Sequence, residues 1–563
     1  MIVLTACSDQ SALTSPSRPA IAPAPPTATV SSPQRPDEER FVELSKSIPS
    51  FGGYYLDRGG NVVTYVADEA NFARGRSVMS DRLRSRSLGI PLTDRVRGII
   101  VRKGQYSFLQ LSRWRDSVYT HLLGTGGVLF DDLDEAINRV TIGLDESAFE
   151  QERTELLPRL QALGIPQEAV HIEPTGRIVA RAGRKAASPG AALLTASTNL
   201  IFMADTLAGG FLITPYGCTI GIVGDSANVR VFVTASHCSS SVYHVDGTRY
   251  QQGDGRYVGA ESADPLSNSQ YCSFINGGYH CYPGRGSDAN LVRIFAGIPS
   301  RRGVIARPST RVSGGAGPTD LDQARPWIYV TSTENGHPVG TTVDKIGYSS
   351  GWTYGTILNS CTDEWVNGPG LNPDYSVRCS IRTSIYSLGG DSGSPIFVWD
   401  GQDVAKFMGI LWGGVTGNDN VTFYAGYRAL EADLGILDRG VLNVKSDLSL
   451  TPVTLSSFFD PPAVILSWSG GRGVGMYGTT YTLSRTDYSV DYDREWGWPY
   501  FVQGWSGVLY TSPYAESYRD ESPWGNTETP CPPDPYSVGG YSQYTMTATS
   551  MGMTTSTSIC LAL

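Results

Sequence analysis

Charged side chains are scarce in this chain. Asp, Glu, Lys and Arg make up 17% of the 563 residues, against about a quarter in typical soluble domains. Gly, Ser, Thr and Tyr abound instead, a balance closer to exported proteins than to cytosolic enzymes. A basic excess is missing too: the formal net charge of −10 excludes the electropositive footprint of a nucleic-acid binder. No apolar run approaches the ~18 residues that a bilayer-spanning helix needs. Neither C-x-x-C nor H-x-x-x-H spacing occurs, so zinc is not read, and the chain implies no metal and no cofactor. Histidine is rare, with six in the chain and none beyond His337.

Cysteine is sparse but grouped. Cys7 stands alone, and the other eight fall into close neighbours: Cys218 with Cys238, Cys272 with Cys281, Cys361 with Cys379, and Cys531 with Cys560. That arrangement reads as four disulfides formed in an oxidising compartment, each closing a loop that contributes about 2 to 4 kcal/mol. Near the N-terminus, Leu4, Thr5, Ala6 and Cys7 resemble the lipobox of bacterial lipoproteins, which implies diacylation of Cys7 and a lipid anchor at the cell envelope. The basic stretch that precedes such a motif is missing, which leaves an accidental match open. Export, either secreted or lipid-anchored, is expected on both readings.

Composition divides the rest. Residues 1–37 join the lipobox-like start to a Pro/Ser/Ala tether expected to be unstructured. Residues 38–190 alternate strand and helix patterns, predicting an α+β domain. There "GGYYLDRGGNVVTYV" reads as a hairpin turning at Gly59-Gly60, and Phe108, Leu111, Val118 and Leu122 recur at helical spacing. A later helix opens at Asp145, is kinked or broken at Pro158 and closes at Gly164, and "VHIEPTGRIVARA" follows as one strand. Residues 205–440 switch to short β segments parted by Gly, Asn and Ser turns, predicting an antiparallel barrel or sandwich. Residues 450–563 are again β-rich, and their alternating Trp468, Tyr481 and Tyr544 resemble a fibronectin type III or immunoglobulin-like sandwich, stapled by Cys531 and Cys560.

Chemistry concentrates in "LGGDSGSPIF", residues 388–397. A serine in a glycine turn is often only a turn. A serine hydroxyl becomes a nucleophile only beside a base, and the base needs an orienting carboxylate. Of the six histidines, His237 ends the apolar run "VFVTASHC", a rigid position beside a disulfide cysteine. Asp288, in "GRGSDANLVRI", stands just before an apolar strand. The order His237, Asp288, Ser392 matches one known solution. The α/β-hydrolase order needs a histidine after the serine, and none follows; its G-x-S-x-G elbow also fails at Ser394.

"TASHC", "SDANLV" and "LGGDSGSPIF" together resemble the trypsin-like serine proteases, in particular the bacterial alpha-lytic protease and streptogrisin branch, over roughly residues 209–437. The resemblance implies a mainly β catalytic domain, a chymotrypsin-like double six-stranded antiparallel barrel, with the triad in the cleft between barrels. Residues 38–190 resemble, in placement and pattern, the pro-regions of that branch. Carried over, His237 is the general base, Asp288 its orienter and Ser392 the nucleophile. Gly390 and Ser392 supply oxyanion amides, and Leu411, Trp412 and Gly413 pair with the substrate backbone. Ser236 and Ser394 stand where small Ala or Gly residues are usual.

The expected function is an exported serine endopeptidase acting on polypeptides, made with a pro-region and carrying a C-terminal sandwich that binds polymer or surface. The alternative is a catalytically silent protease-like adhesin. A mature N-terminus is expected between about residues 185 and 210, without the new Ile terminus used by animal zymogens. Specificity is open: Tyr386, six before the serine, is no acid, and Asp419 lies in a loop that sequence does not position, so aromatic, apolar and small side chains all remain.

Overall fold

A computed structural model describes residues 39–90, 96–181, 183, 199–201, 206–226, 229–265, 269–275, 278–334, 336–367, 374–401, 403–435, 443–444, 446, 454–460, 463–469, 480–492, 499–512, 517–520, 527–529, 541–550 and 553–562. Cys7, the tether, Cys531 and residues 184–198 lie outside the described residues, as do the side chains of Cys272 and Cys281. The chain is mostly β with few helices.

The N-terminal part begins with helix Glu39–Ser47 and the hairpin Phe51–Leu56 with Asn61–Val66, beside which Gly98–Lys103 runs parallel. Helix Phe108–His121 starts where Ser107 Oγ accepts from the Gln110 amide, and Phe108, Leu111 and Val118 are buried along its inner face. Helix Phe149–Ala162 runs unbroken through Pro158, so the proline does not break it. Leu156 and Leu160 flank the proline and are both buried. Their packing outweighs the one backbone hydrogen bond that proline removes.

"VHIEPTGRIVARA" is not one strand. Val170–Thr175 pairs in parallel with Arg139–Asp145, whereas Ile178–Ala180 leaves that ladder and pairs antiparallel with Val404–Val415. Strand Val128–Asp134 in turn joins Gly351–Val366, so one 16-stranded sheet passes from the N-terminal part into the region of the serine motif. Apolar packing crosses the same seam, since Trp365 sits in the N-terminal core and Phe130 in the central one.

Carboxylates are also buried there. Asp131, Asp132, Glu135, Asp363 and Glu364 are all at most 1% exposed, and Asp131 stands opposite Asp363 in the strand pairing. Asn359 Nδ2 donates to Asp132 at 2.6 Å, Ser360 Oγ to Glu135 at 2.6 Å, and the Cys379 amide to Asp363 at 2.9 Å. Buried Arg115 donates to the Cys361 carbonyl at 3.1 Å. Burial, reinforced by Asp132, pushes the Glu135 carboxyl well above its ordinary value. Burial also lifts Glu364, with Asp363 and Asp131 adding to the rise against an opposing bond from Thr362.

A separate five-stranded antiparallel sheet runs Ile222–Ser226, Val229–Thr234, Asn290–Ile294, Tyr257–Ala263, Arg249–Gln251. Beyond residue 454 lie a three-stranded and a five-stranded sheet. Asp520 of the first links them, accepting from Arg485 and Tyr544 of the second at 2.7 Å each. Two of the four expected disulfides, Cys218–Cys238 and Cys361–Cys379, are present, and Cys560 is disulfide-bonded.

Candidate active site

Strand Val229–Thr234 buries its last four residues, and a single helical turn, Ser236–Cys238, follows it at once. The Cys218–Cys238 bridge ties down that turn, which presents His237. Thr234 pairs with Asn290 across the sheet, so the residue two before Asn290, Asp288, arrives beside the imidazole. His237 Nδ1 lies 2.7 Å from Asp288 Oδ2, and the His237 amide donates to Oδ1 at 3.1 Å. On the far side of the ring, Nε2 lies 2.7 Å from Ser392 Oγ. The three residues, scattered over 155 positions, thus meet in one hydrogen-bonded line.

Asp288 is fully buried, which pushes its carboxyl up. The charge and hydrogen bonds of His237, with a bond from Tyr375, outweigh that and hold it below the ordinary aspartate value. Tyr375 OH donates to Asp288 Oδ2 at 2.8 Å. Burial and the neighbouring Asp288 charge lift the phenol well above its usual range, so it stays a donor. Nothing in the local sequence around Tyr375 marks this role.

Gly390 has φ +103° and Gly393 φ +88°, a region costly for any side chain. A Cβ at 390 would also collide with Ser349 and Tyr348, and one at 393 with the Thr219 carbonyl. Asp391 anchors the turn from beneath. Its carboxylate accepts the Leu388 amide at 2.9 Å, the Ser349 and Ser350 amides at 3.2 Å each, and Lys345 Nζ at 3.0 Å. Both ion-pair side chains are wholly buried, and burial lowers the Lys345 value against the pull of Asp391. Losing either partner would strand a buried charge, at a cost of about 3 to 5 kcal/mol.

Ser236 is more than a small substitute. Its hydroxyl donates to Asp264 at 2.7 Å and accepts the Tyr243 amide at 2.8 Å, while Arg285 pairs with Asp264 at 2.9 Å. Burial, opposed by Arg285, lifts Asp264 to about 7. His237, Cys218 and Cys238 lie close enough together to suggest metal ligands, but the two sulfurs are bonded to each other and offer no thiolate.

Leu411, Trp412 and Gly413 lie on the strand Val404–Val415. The Trp412 ring is buried, stacked on Phe423 at 5.6 Å, with Nε1 donating to Ser380 Oγ at 3.2 Å; its backbone faces the cleft. There the chain's own segment already lies. Gly413 pairs with Ala180, Gly414 with Val179 and Val415 with Ile178. The Arg181 amide donates to the Trp412 carbonyl at 3.2 Å, and the Gly390 amide donates to the Arg181 carbonyl at 2.5 Å. Further along, the Gly183 amide donates to the Gly217 carbonyl at 3.0 Å.

No family model and no curated protein matches this chain. Among solved structures, it is similar to Thermobifida fusca Protease A at 23% identity, covering 42% of this chain and 99% of that one, with a TM-score of 0.29. Cellulomonas bogoriensis chymotrypsin is 23% identical over 40% of this chain and 95% of its own, TM-score 0.27. A glutamic acid specific serine protease is 24% identical over 40% and 97%, TM-score 0.26.

Proposed function

We propose that the chain is the precursor of an exported serine endopeptidase. One observation carries the reading: Ser392 Oγ and Asp288 Oδ2 each lie 2.7 Å from opposite nitrogens of His237, beside an extended segment whose carbonyl accepts from Gly390. In the reaction, Ser392 Oγ attacks the scissile carbonyl carbon and His237 Nε2 takes its proton. Asp288 holds Nδ1–H, fixing the tautomer and stabilising the imidazolium. The carbonyl oxygen gains charge beside the Gly390 amide, and such a donor is worth about 3 to 4 kcal/mol in the transition state. Nε2 then protonates the leaving amine, and water repeats the sequence to release the acyl group.

The buried Lys345–Asp391 pair supports a serine turn set without any new N-terminal ammonium. Disulfides favour an oxidising compartment. No helix among the described residues is long and apolar enough to cross a membrane. Lipidation of Cys7, and surface binding by the C-terminal sheets, belong to the same proposal.

An organofluorophosphonate tests the nucleophile directly: it should label Ser392 of processed protein, as read by peptide mass. Labelling elsewhere, or none, would favour the second reading, a silent protease-like adhesin, which the occupied cleft also suits.

In the proposal, residues 38–190 hold the pro-region, and its release is pH-dependent. Glu135 and Glu364 bind protons more tightly folded than unfolded, so their stabilisation is full below the ordinary glutamate value of 4.5 and is lost as pH rises through their raised values. The melting temperature of the uncleaved Ser392→Ala chain should therefore carry a downward component as pH rises above the ordinary glutamate value of 4.5. That component should be smaller in the Glu135→Gln/Glu364→Gln background; identical pH profiles would refute it.

A further inference from the structure

We infer that this site cleaves after arginine, that Asp419 is the residue that reads the guanidinium, and that the Arg181–Ala182 bond of the same chain is a substrate. The inference rests on the protease reading above and adds to it a substrate class and a cut position.

Arg181 is held as a substrate residue would be. Its amide and carbonyl are bonded on the two sides of the cleft, to Trp412 O and Gly390 N. Its side chain, 11% exposed, turns inward past Gly414, where any Cβ would collide with the guanidinium. Nη1 lies 2.8 Å from Asp419 Oδ1, and Nη2 donates to the carbonyls of Val415 and Asn418 at 3.1 Å each. The pocket therefore offers a carboxylate and two carbonyls, all acceptors, to a planar cation with several donors. A lysine ammonium is a single point and cannot copy the spread of two guanidinium nitrogens, so arginine should be preferred over lysine. Neutral side chains would leave both carbonyls and the Asp419 charge unanswered. The acid that position 386 lacks thus arrives from the start of strand Asn418–Gly426, just past the turn that ends strand Val404–Val415.

The segment also lies in the direction that chemistry requires. Residues Ile178–Ala180 precede the held carbonyl and the Gly183 hook follows it, and that Arg181 carbonyl accepts from the amide two residues before Ser392, where a scissile carbonyl would stand. Ser392 Oγ would bond to the Arg181 carbonyl carbon as its proton passes to His237. The C–N bond then breaks, with the proton returned to the Ala182 nitrogen. Water hydrolyses the ester, leaving an Arg181 carboxylate, a free Ala182 amine and the original serine. This moves the expected mature N-terminus from the 185–210 window to Ala182.

The experiment uses the full chain. Intact mass and N-terminal sequencing should show wild type converted to a fragment ending at Arg181 and another beginning at Ala182, with no conversion in Ser392→Ala. Arg181→Ala should lose that cut and Arg181→Lys should slow it. On peptide libraries, processed enzyme should cut after arginine, and Asp419→Ala should lower the kcat/KM ratio of arginyl over phenylalanyl substrates by about 10- to 100-fold, the lower end reflecting an Asp419 that is 43% exposed. Protein that hydrolyses casein and reacts with the fluorophosphonate at Ser392, yet cuts after Arg184 alone, after apolar residues, or with the same arginyl ratio in Asp419→Ala, overturns this inference while leaving the protease reading intact. Protein that does neither overturns the protease reading itself.

Discussion

Replacing Ser392 with alanine should lower kcat for casein or peptide hydrolysis on the order of a million-fold, the scale seen when a triad nucleophile is removed. The size follows from the mechanism. Without Oγ no acyl-enzyme forms, and His237 has no proton to take. What survives is substrate alignment along Leu411–Gly413 and the Gly390 amide, which together sustain only the residual catalysis left when a triad is broken. Folding must be monitored alongside, because the hydroxyl contacts both His237 Nε2 at 2.7 Å and the Trp412 carbonyl at 3.2 Å. Losing these costs at most about 1 to 3 kcal/mol, visible as a change in melting temperature and far too little to imitate the kinetic loss. Hydrolysis within tenfold of the wild type, in protein free of contaminating protease, would mean that Ser392 is not the nucleophile.

Much of this site is written in short stretches of chain. His237, Asp288 and Ser392 each sit where an apolar strand meets a turn, so local pattern and chain order suffice to connect them. Lys345, Tyr375 and Asp419 carry no such mark. Lys345 lies inside strand Thr342–Gly347, and a lysine in a strand reads as an exposed one. Only the approach of the 388–394 turn encloses it with Asp391. Asp419 acquires its partner across 238 residues of sequence, through a strand pairing that one sequence cannot reveal. The same reason defeats the reading of "VHIEPTGRIVARA" as a single strand. Its period is continuous, but a sharp change of course at Gly176, whose Cβ would press on Thr416, sends the two halves to different partners. The cleft-filling segment lies in the second half. Pro158 errs in the other direction: a local rule predicts a break, and burial on either side of the proline keeps the helix whole.

Asp288→Asn should cut kcat by about 10,000-fold while moving KM little, because it changes a tautomer more than a shape. The carboxylate has two acceptor oxygens, one for the His237 amide and one shared by Nδ1–H and Tyr375 OH. An asparagine keeps only one acceptor oxygen. If that oxygen stays with the His237 amide, an NH2 faces Nδ1, and the ring proton must move to Nε2, where it faces Ser392 and bars proton abstraction. The tyrosine offers an independent check on the same carboxylate. Tyr375→Phe removes one of the bonds that hold Asp288 below the ordinary aspartate value, so its carboxyl should rise, and its hold on the imidazolium should weaken. The expected loss is modest, about tenfold in kcat, in keeping with one charge-assisted hydrogen bond. In the double variant Asp288→Asn/Tyr375→Phe the second change should cost far less than it does alone, since the charge that the phenol serves is already gone. Strictly additive losses would place Tyr375 outside the catalytic line, and an Asp288→Asn enzyme within tenfold of wild type would remove the carboxylate from the mechanism.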